Sequence, residues 1–311
     1  MYPLRFEPIY QTYVWGGERI AQKYHRKTNH AKVAESWEIS DRDEAMSVVC
    51  NGAHKGKTLR ELVRMMGEEL LGKGQKYDRF PLLLKIIDAH ENLSIQVHPD
   101  EQTAASLQGE PKTEMWFLLE DGSVYAGLKK EVSEKEFTEA IKKNRAEEKL
   151  EKLALKRGEA VYIPGGRVHA ICEGTLLYEV QQNSNTTYRL YDWGRTGRAL
   201  HIREGMAAIH WGDKGHVKLT PQHIQSDLHH QFVIIVNSPF FVVDRIDVFD
   251  QLHLPVIPKT FQIYFCIEGK AQLKVDDYQE PFEPGMTYLV PAAARSIDFS
   301  GKCQFLRIRL P

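Results

Sequence analysis

The fold prediction begins from a seven-residue stretch, Gly158–Pro164 (GEAVYIP), which recurs near the C-terminus as Gly285–Pro291 (GMTYLVP). In both copies a glycine opens an apolar, strand-like run that ends at a proline. A second pair lies upstream of these, Glu114–Glu120 (EMWFLLE) and Gln262–Glu268 (QIYFCIE), and each member leads to a glycine turn. The same two units in the same order predict two related β-barrels in tandem.

The rest of the chain is predicted to form mostly short strands, because its apolar runs are rich in Ile, Val, Leu and aromatic residues and are bounded by turn residues. Two stretches predict helices, 57–71 with Thr58 as N-cap and 132–155 opening at Ser133. They form a small helical insertion, and the absence of a βαβ rhythm disfavours a doubly wound parallel sheet. We therefore expect a mainly β protein with an N-terminal domain at 1–236 and a C-terminal domain at 237–311.

The charge balance excludes a chain built to coat a polyanion. Lys and Arg number 41 against 42 Asp and Glu, a formal net charge of −1, so neither a nucleic acid nor a membrane surface is an expected partner. The first residues do not resemble a signal peptide, and no apolar run approaches the length of a membrane span. Four scattered cysteines predict free thiols in a reducing cytoplasm. A monomer is the default expectation.

Potential metal ligands cluster in the first copy of the repeat. In the stretch Ser94–Asp100 (SIQVHPD), Gln96 and His98 share one face of a predicted strand. Together with Glu114 and His169 they provide two imidazoles, a carboxylate and an amide oxygen. This set suits a borderline divalent ion such as Zn²⁺ with a further position open to water or substrate.

The second copy carries poorer ligands at the equivalent positions. Gln262 stands where the first copy has Glu114, and Ser296 stands where it has His169. We therefore expect one ion per chain, held by the first copy, and a degenerate second copy without metal.

A polar hairpin follows the His169 strand. It runs from Leu177 to Arg195 (LYEVQQNSNTTYRLYDWGR) as strand, polar turn and strand. The hairpin brings Glu179 and Arg189 towards the predicted metal site. Its density of polar and aromatic side chains favours a pocket of the size of a sugar over a surface hairpin.

These motifs resemble those of type I mannose-6-phosphate isomerases of the short bacterial kind. The resemblance runs in order along nearly the whole chain, including the stretches Tyr13–Gly17, Ala34–Glu38, Ser94–Asp100, Lys112–Trp116, Gly158–Ala170 and Glu179–Trp193. It implies two tandem cupin (jelly-roll-like) barrels and one bound zinc. The family's metal ligands fall on Gln96, His98, Glu114 and His169.

The same resemblance implies the residues around the substrate. The family's active-site arginine falls on Arg189, and its substrate-site positions fall on Ser94, Lys112 and Glu179. A basic residue that eukaryotic members carry as lysine corresponds to Arg195, so the phosphate partners implied are Lys112 and Arg195. Arg189, Glu179 and Lys112 form the implied catalytic set.

The implied activity is a zinc-dependent interconversion of mannose 6-phosphate and fructose 6-phosphate through a cis-enediol. The base is left open between Glu179 and a zinc-bound water. An alternative is a non-catalytic bicupin that binds a phosphosugar and regulates another process. A third hypothesis, a cupin oxidase or epimerase, is disfavoured because Gln96 replaces a third imidazole.

Overall fold

The fold consists mainly of β-strands, as the sequence predicts. A computed structural model describes residues 1–213, 215 and 217–311. The strands are β1 Leu4–Arg5, β2 Ile9–Gln11, β3 Glu35–Ile39, β4 Asp41–Arg42, β5 Ala45–Met46, β6 Leu82–Ala89, β7 Ile95–Val97, β8 Glu114–Leu118, β9 Gly122–Leu128, β10 Leu150–Leu155, β11 Ala160–Ile163, β12 His169–Ile171, β13 Thr175–Gln182, β14 Tyr188–Tyr191, β15 Gln222–Ser226, β16 His230–Asn237, β17 Val242–Val248, β18 Gln251–Leu254, β19 Gln262–Val275, β20 Tyr278–Phe282, β21 Thr287–Val290 and β22 Ile297–Arg309.

The helices are short. They are α1 Arg19–Lys23, α2 Leu59–Met66, α3 Glu68–Leu71, α4 Glu134–Lys142 and α5 Ile202–Ala208, with a 3₁₀ turn at Ala146–Lys149. In the described part of the chain, none is long and apolar enough to cross a membrane.

Both helical predictions need correction. Thr58 and Ser133 do cap α2 and α4, each in a capping box with a glutamate three residues on. The segment 57–71 nevertheless divides at Gly67, whose φ of +51° interrupts the helix. The segment 132–155 is helical only in its first part, because residues 150–155 form β10 and pair with β9. Cross-strand pairing there overrides a charge-rich sequence that resembles a helix.

Contacts divide the chain into two compact units. The first unit is Tyr10–Trp37 with Leu83–Leu219, and the second is Met1–Ile9, Glu38–Leu82 and Thr220–Pro311. This division differs from a single cut between residues 236 and 237, which falls at the end of β16 in its hairpin with β17. N-terminal segments join the second unit because they pair there, as β1 does with β21.

The first unit carries a five-stranded sheet in the order β10-β9-β12-β7-β14. A six-stranded sheet has the order β11-β8-β13-β6-β3-β2. Apolar side chains from both sheets share one core, for example Trp116 and Leu177 with Val124 and Ile171. The two sheets therefore pack face to face, and the burial of this core stabilises the first unit.

The sequence repeat is also a repeat of strand pairing. In the first unit β8 pairs with β11, with Glu114 opposite Ile163. In the second unit β19 pairs with β21, with Gln262 opposite Val290. Both positions open their strands, so the two copies share one antiparallel register. Glu114 and Gln262 are thus equivalent in structure as well as in sequence.

Candidate metal centre and adjoining cavity

Three predicted metal ligands converge inside the first unit. His98 directly follows β7, Glu114 opens β8 and His169 opens β12. All three side chains are buried, and their ligand atoms lie within 4.8 Å of one another. Nε2 of His98 lies 3.5 Å from Oε2 of Glu114, and Nε2 of His169 lies 3.4 Å from Oε1. Residues far apart in sequence thus meet at one point.

Backbone carbonyls orient both imidazoles. Nδ1 of His98 donates to the carbonyl of Thr186 at 2.8 Å, and Nδ1 of His169 donates to the carbonyl of Arg167 at 2.8 Å. With the proton on Nδ1, each ring presents the lone pair of Nε2 to Glu114. Such carbonyl partners are typical of histidines that bind metals, because they fix the tautomer and the ring orientation.

The donor atoms suit a divalent cation. Nε2 of His98 and both carboxylate oxygens of Glu114 are buried without a hydrogen bond to a described residue. Burial, reinforced by the charge of Lys112, lowers the pKa of His98 to about 3. Burial opposes ionisation of Glu114, but Lys112 and the two histidines outweigh it and hold the pKa of this carboxyl well below its usual range. Neutral imidazoles and a carboxylate are the forms that bind metals.

Gln96 lies beside this cluster. In the five-stranded sheet it stands opposite His169 on one side and opposite Arg189 on the other. Its Nε2 lies 3.3 Å from Nε2 of His169, and its Oε1 accepts from Ser94 at 3.2 Å. Rotating the terminal amide exchanges oxygen and nitrogen, which places an oxygen ligand next to His169.

A polar cavity of about 270 Å³ adjoins the cluster in the first unit. It connects to the ligands through Lys112, which lines the cavity and lies 3.0 Å from Oε2 of Glu114. Its lining is Tyr13, Trp15, Glu35, Lys85, Ile87, Leu93, Ser94, Gln96, Lys112, Trp116, Ile171, Glu179, Asn185, Thr187, Arg189 and Arg198. Of the sequence-predicted substrate residues, Ser94, Lys112, Glu179 and Arg189 line this cavity, whereas Arg195 is outside the lining.

A row of buried charges, absent from the residues predicted for the site, crosses the six-stranded sheet. Nζ of Lys85 lies 3.1 Å from Glu179 and 3.4 Å from Glu35. Each carboxylate also accepts a hydrogen bond from an indole, Trp116 for Glu179 and Trp37 for Glu35. The lone lysine within the apolar strand Leu82–Ala89 (LLLKIIDA) was the available signal, because an unpaired buried cation is very costly.

Burial shapes the protonation of this row. Burial raises the pKa of Glu179. The charge of Lys85 opposes this increase, and the nearby charge of Glu114 adds to it. Burial alone would lower the pKa of Lys85, but Glu179 and Glu35 outweigh it and raise that pKa. Lys85 therefore stays charged and holds the carboxylate of Glu179 in place.

Arg198 is a further residue of the site that was not predicted. Arg198 donates to the buried carboxylate of Asp192 through Nε and Nη2. Arg195 donates to the same carboxylate through Nη2 and to the backbone carbonyl of Asp192 through Nε. Arg198 lines the cavity. Arg189 stands on β14 close by, and its Nη1 donates to the carbonyl of Ala199 at 2.8 Å. The pattern RxxR after a strand was the signal in the sequence.

Face-to-face antiparallel sheets around a buried His-Glu-His cluster define a mainly β protein with a site able to hold a divalent metal. Comparisons with known proteins extend this description. Residues 4–115 match the family described as "Phosphomannose isomerase type I, catalytic domain", and residues 231–310 match "Mannose-6-phosphate isomerase, cupin domain". The chain belongs to the type I mannose-6-phosphate isomerase family and has its cupin fold.

Individual relatives agree along the whole chain. The mannose-6-phosphate isomerase ManA of Bacillus subtilis is 33% identical over 93% of both chains. A mannose-6-phosphate isomerase of Streptococcus mutans is 30% identical over 98% of this chain and 97% of its own. The crystal structure of the mannose 6-phosphate isomerase from Bacillus subtilis superposes with a TM-score of 0.92 at 29% identity, covering 99% of each chain.

Proposed function

We propose that this enzyme is a zinc-dependent aldose–ketose isomerase that interconverts mannose 6-phosphate and fructose 6-phosphate through a cis-enediol. The observation that carries the proposal is the buried His98–Glu114–His169 cluster, which meets a polar cavity at Lys112. The names of the relatives supply the sugar phosphate.

One zinc ion per chain would be held by Gln96, His98, Glu114 and His169. These are nitrogen and oxygen ligands of the kind that Zn²⁺ prefers. When bound, the ion supplies Lewis-acid polarisation of the substrate oxygens at C1 and C2. Gln262 in the second copy is already engaged, since its Oε1 accepts from the hydroxyl of Tyr264 at 2.9 Å.

Glu179 is the proposed base. Starting from the open aldose, its carboxylate takes the proton from C2, the C2–H electron pair becomes the C1–C2 double bond, and O1 gains the negative charge. Glu179 then returns the same proton to C1, whose new C–H bond takes the electron pair of the C1–C2 double bond, while the proton of O2 passes to O1 and C2 becomes the carbonyl carbon. The raised pKa of Glu179 brings it nearer to the pH at which a carboxyl group can both accept and return a proton.

Lys112 and Arg189 are proposed to donate hydrogen bonds to the oxygens that become charged in this step. Both side chains line the cavity. Arg189 stands opposite Gln96 in the sheet, and Nζ of Lys112 lies 3.0 Å from Oε2 of Glu114. Donors fixed in advance around a developing oxyanion stabilise the transition state without reorganisation. Ser94, also in the lining, is proposed to bind a sugar hydroxyl. Arg195, outside the lining, would act indirectly by holding Asp192.

An enzyme-linked assay tests the proposal. Formation of fructose 6-phosphate from mannose 6-phosphate is followed with purified protein as isolated, after chelation, and after chelation with zinc restored. We expect activity that chelation abolishes and zinc restores. Binding of mannose 6-phosphate without turnover in zinc-loaded protein would contradict the proposal and favour a regulatory phosphosugar-binding bicupin.

We also propose that the enzyme acts in the cytoplasm as a monomer. Its four cysteines are all free, and Cys172, Cys266 and Cys303 are buried, as expected where thiols stay reduced. Sedimentation analysis of the zinc-loaded protein tests the monomer, and a dimer at micromolar concentration would contradict it.

A further inference from the structure

Three guanidinium groups gather at the end of β14. The loop after this strand returns to it through the backbone, since the N–H of His201 donates to the carbonyl of Arg189 at 2.8 Å. The side chain of Arg189 reaches the same loop, because its Nη1 donates to the carbonyl of Ala199 at 2.8 Å. Arg198, next to Ala199, is thereby held beside Arg189.

The two arginines of the loop differ in how their donors are used. The donors of Arg195 are taken by Asp192, by the carbonyl of Asn92 and, through Nη1, by the carboxylate of Glu91 at 3.3 Å. Arg198 binds Asp192 through Nε and Nη2. Its Nη1 is left without a hydrogen bond to any described residue, and the side chain lines the cavity.

The cluster carries more positive than negative charge. Arg189, Arg195 and Arg198 face the carboxylates of Asp192 and Glu91, which leaves an excess of one positive charge. Nε of Arg189 is also buried without a hydrogen-bond partner among the described residues. Burial lowers the pKa of Arg189, and repulsion from Arg198 adds to this effect. A bound anion would relieve this repulsion and balance the excess positive charge.

We propose that Arg198 binds the phosphate group of the substrate, held in position for it by Asp192, and that Arg195 braces Asp192 without touching the substrate. A phosphate monoester carries a charge near −2 at neutral pH and accepts several hydrogen bonds, and a guanidinium fork matches its oxygens. This inference rests on the proposed function, because the phosphate belongs to the sugar that this function assigns.

The placement of Arg189 supports this division of roles. Arg189 stands opposite Gln96 in the strand register, at the side of the cavity where the metal ligands lie. Arg198 has no such register with the ligand strands: it lies in the loop, directly before the Ala199 whose carbonyl accepts from Arg189. The sugar carbons would therefore face Gln96 and Arg189, while the phosphate at the far end of the chain of carbons would meet Arg198.

The test compares Arg198→Gln with Arg203→Gln in zinc-loaded enzyme. Arg203 is a matched control, because its side chain is 93% exposed on α5. For Arg198→Gln we expect KM for mannose 6-phosphate to rise by roughly 10- to 100-fold, the effect of losing a charged hydrogen bond, with kcat changed less than about 3-fold. The inhibition constant of inorganic phosphate should rise in parallel. Arg203→Gln should match wild type in both.

Two further measurements separate binding from misfolding. Arg198→Lys keeps the charge but loses the fork, so its KM should lie between wild type and Arg198→Gln. Activity towards unphosphorylated mannose should be the same in wild type and Arg198→Gln, since that sugar has no phosphate to lose. An equal loss on both sugars, or an unchanged KM for mannose 6-phosphate, would overturn the inference.

The outcomes also separate this inference from the proposed function. Titration of wild type and Arg198→Gln with inorganic phosphate, followed by calorimetry, needs no turnover. Phosphate binding that depends on Arg198 in a protein without isomerase activity would support the phosphate site and reject the isomerase. Isomerase activity together with phosphate binding that does not depend on Arg198 would support the isomerase and reject the phosphate site at Arg198.

Discussion

Replacing Lys85 by methionine removes the cation that contacts both Glu35 and Glu179, and the size of the effect can be worked out from the structure. The two ion pairs measure 3.4 and 3.1 Å. At an effective dielectric constant of about 20, each is worth about 5 kcal/mol of attraction, before the cost of removing Lys85 from water. Methionine fills a similar volume and has no such cost.

Protonation of Glu179 limits the loss of stability in Lys85→Met. Without Lys85, Oε1 of Glu179 has no remaining partner among the described residues, so this carboxyl takes up a proton. At pH 7, protonating a carboxyl with an ordinary pKa of about 4.3 costs about 3.7 kcal/mol, and at pH 5 it costs about 1 kcal/mol. We therefore expect Lys85→Met to lower the free energy of unfolding by about 3–4 kcal/mol at pH 7, within the range for a broken buried ion pair.

The sign of the pH dependence follows from linkage. In Lys85→Met the folded pKa of Glu179 lies above its unfolded value, so between these two values the folded state binds more protons and its stability falls as pH rises. The destabilisation relative to wild type should therefore shrink to about 1–2 kcal/mol at pH 5.

Urea denaturation of chelated protein at pH 5 and pH 7 measures both values. The control is Lys156→Met, which removes an exposed ion pair with Asp121 and should leave stability unchanged at both pH values. The double variant Lys85→Met/Glu179→Gln should recover most of the loss at pH 7, because the amide carries no charge. A loss below about 1 kcal/mol at pH 7, or a loss that grows as pH falls, would refute the reasoning.

The remaining predictions concern the metal, catalysis and the second unit. His98→Ala should lose most of its bound zinc, because it removes one of a small set of ligands, and elemental analysis showing about one zinc per chain would contradict this. Arg189→Ala should lower kcat by roughly 10²–10³ with a much smaller change in KM and normal metal content; a kcat near wild type would remove it from the catalytic set. Deleting residues 238–311 removes β17 to β22 and exposes the apolar faces of β16 and β1, so light scattering should show aggregation, and a soluble, active product would count against a structural role for this segment.

Local sequence was sufficient for several features of the fold. Thr58 and Ser133 cap their helices as predicted, because capping depends on residues three positions apart. The repeat of Gly158–Pro164 and Gly285–Pro291 predicted two related units, and the pairs β8–β11 and β19–β21 do share one register. Residue type and spacing also selected His98, Glu114 and His169, because few side chains other than these bind a borderline metal ion.

Features that depend on residues far apart in the chain could not be predicted from the sequence pattern. The segment 150–155 is rich in charge and helix-forming residues, yet it becomes β10 because β9 lies beside it. The family resemblance associated Arg195 with the phosphate of the substrate. Only the path of the loop decides that Arg198 lines the cavity while Asn92 and Glu91 occupy Arg195. The buried row of charges through Lys85 joins three strands, and its charges are stable only because the fold brings them within 3–4 Å of one another. Sequence by itself determined which chemistry the chain carries, since residue types and short-range periods are local properties. Tertiary structure decided which charges face the cavity and which neutralise one another, because Coulomb energies in a low-dielectric interior depend on distances that no local pattern records.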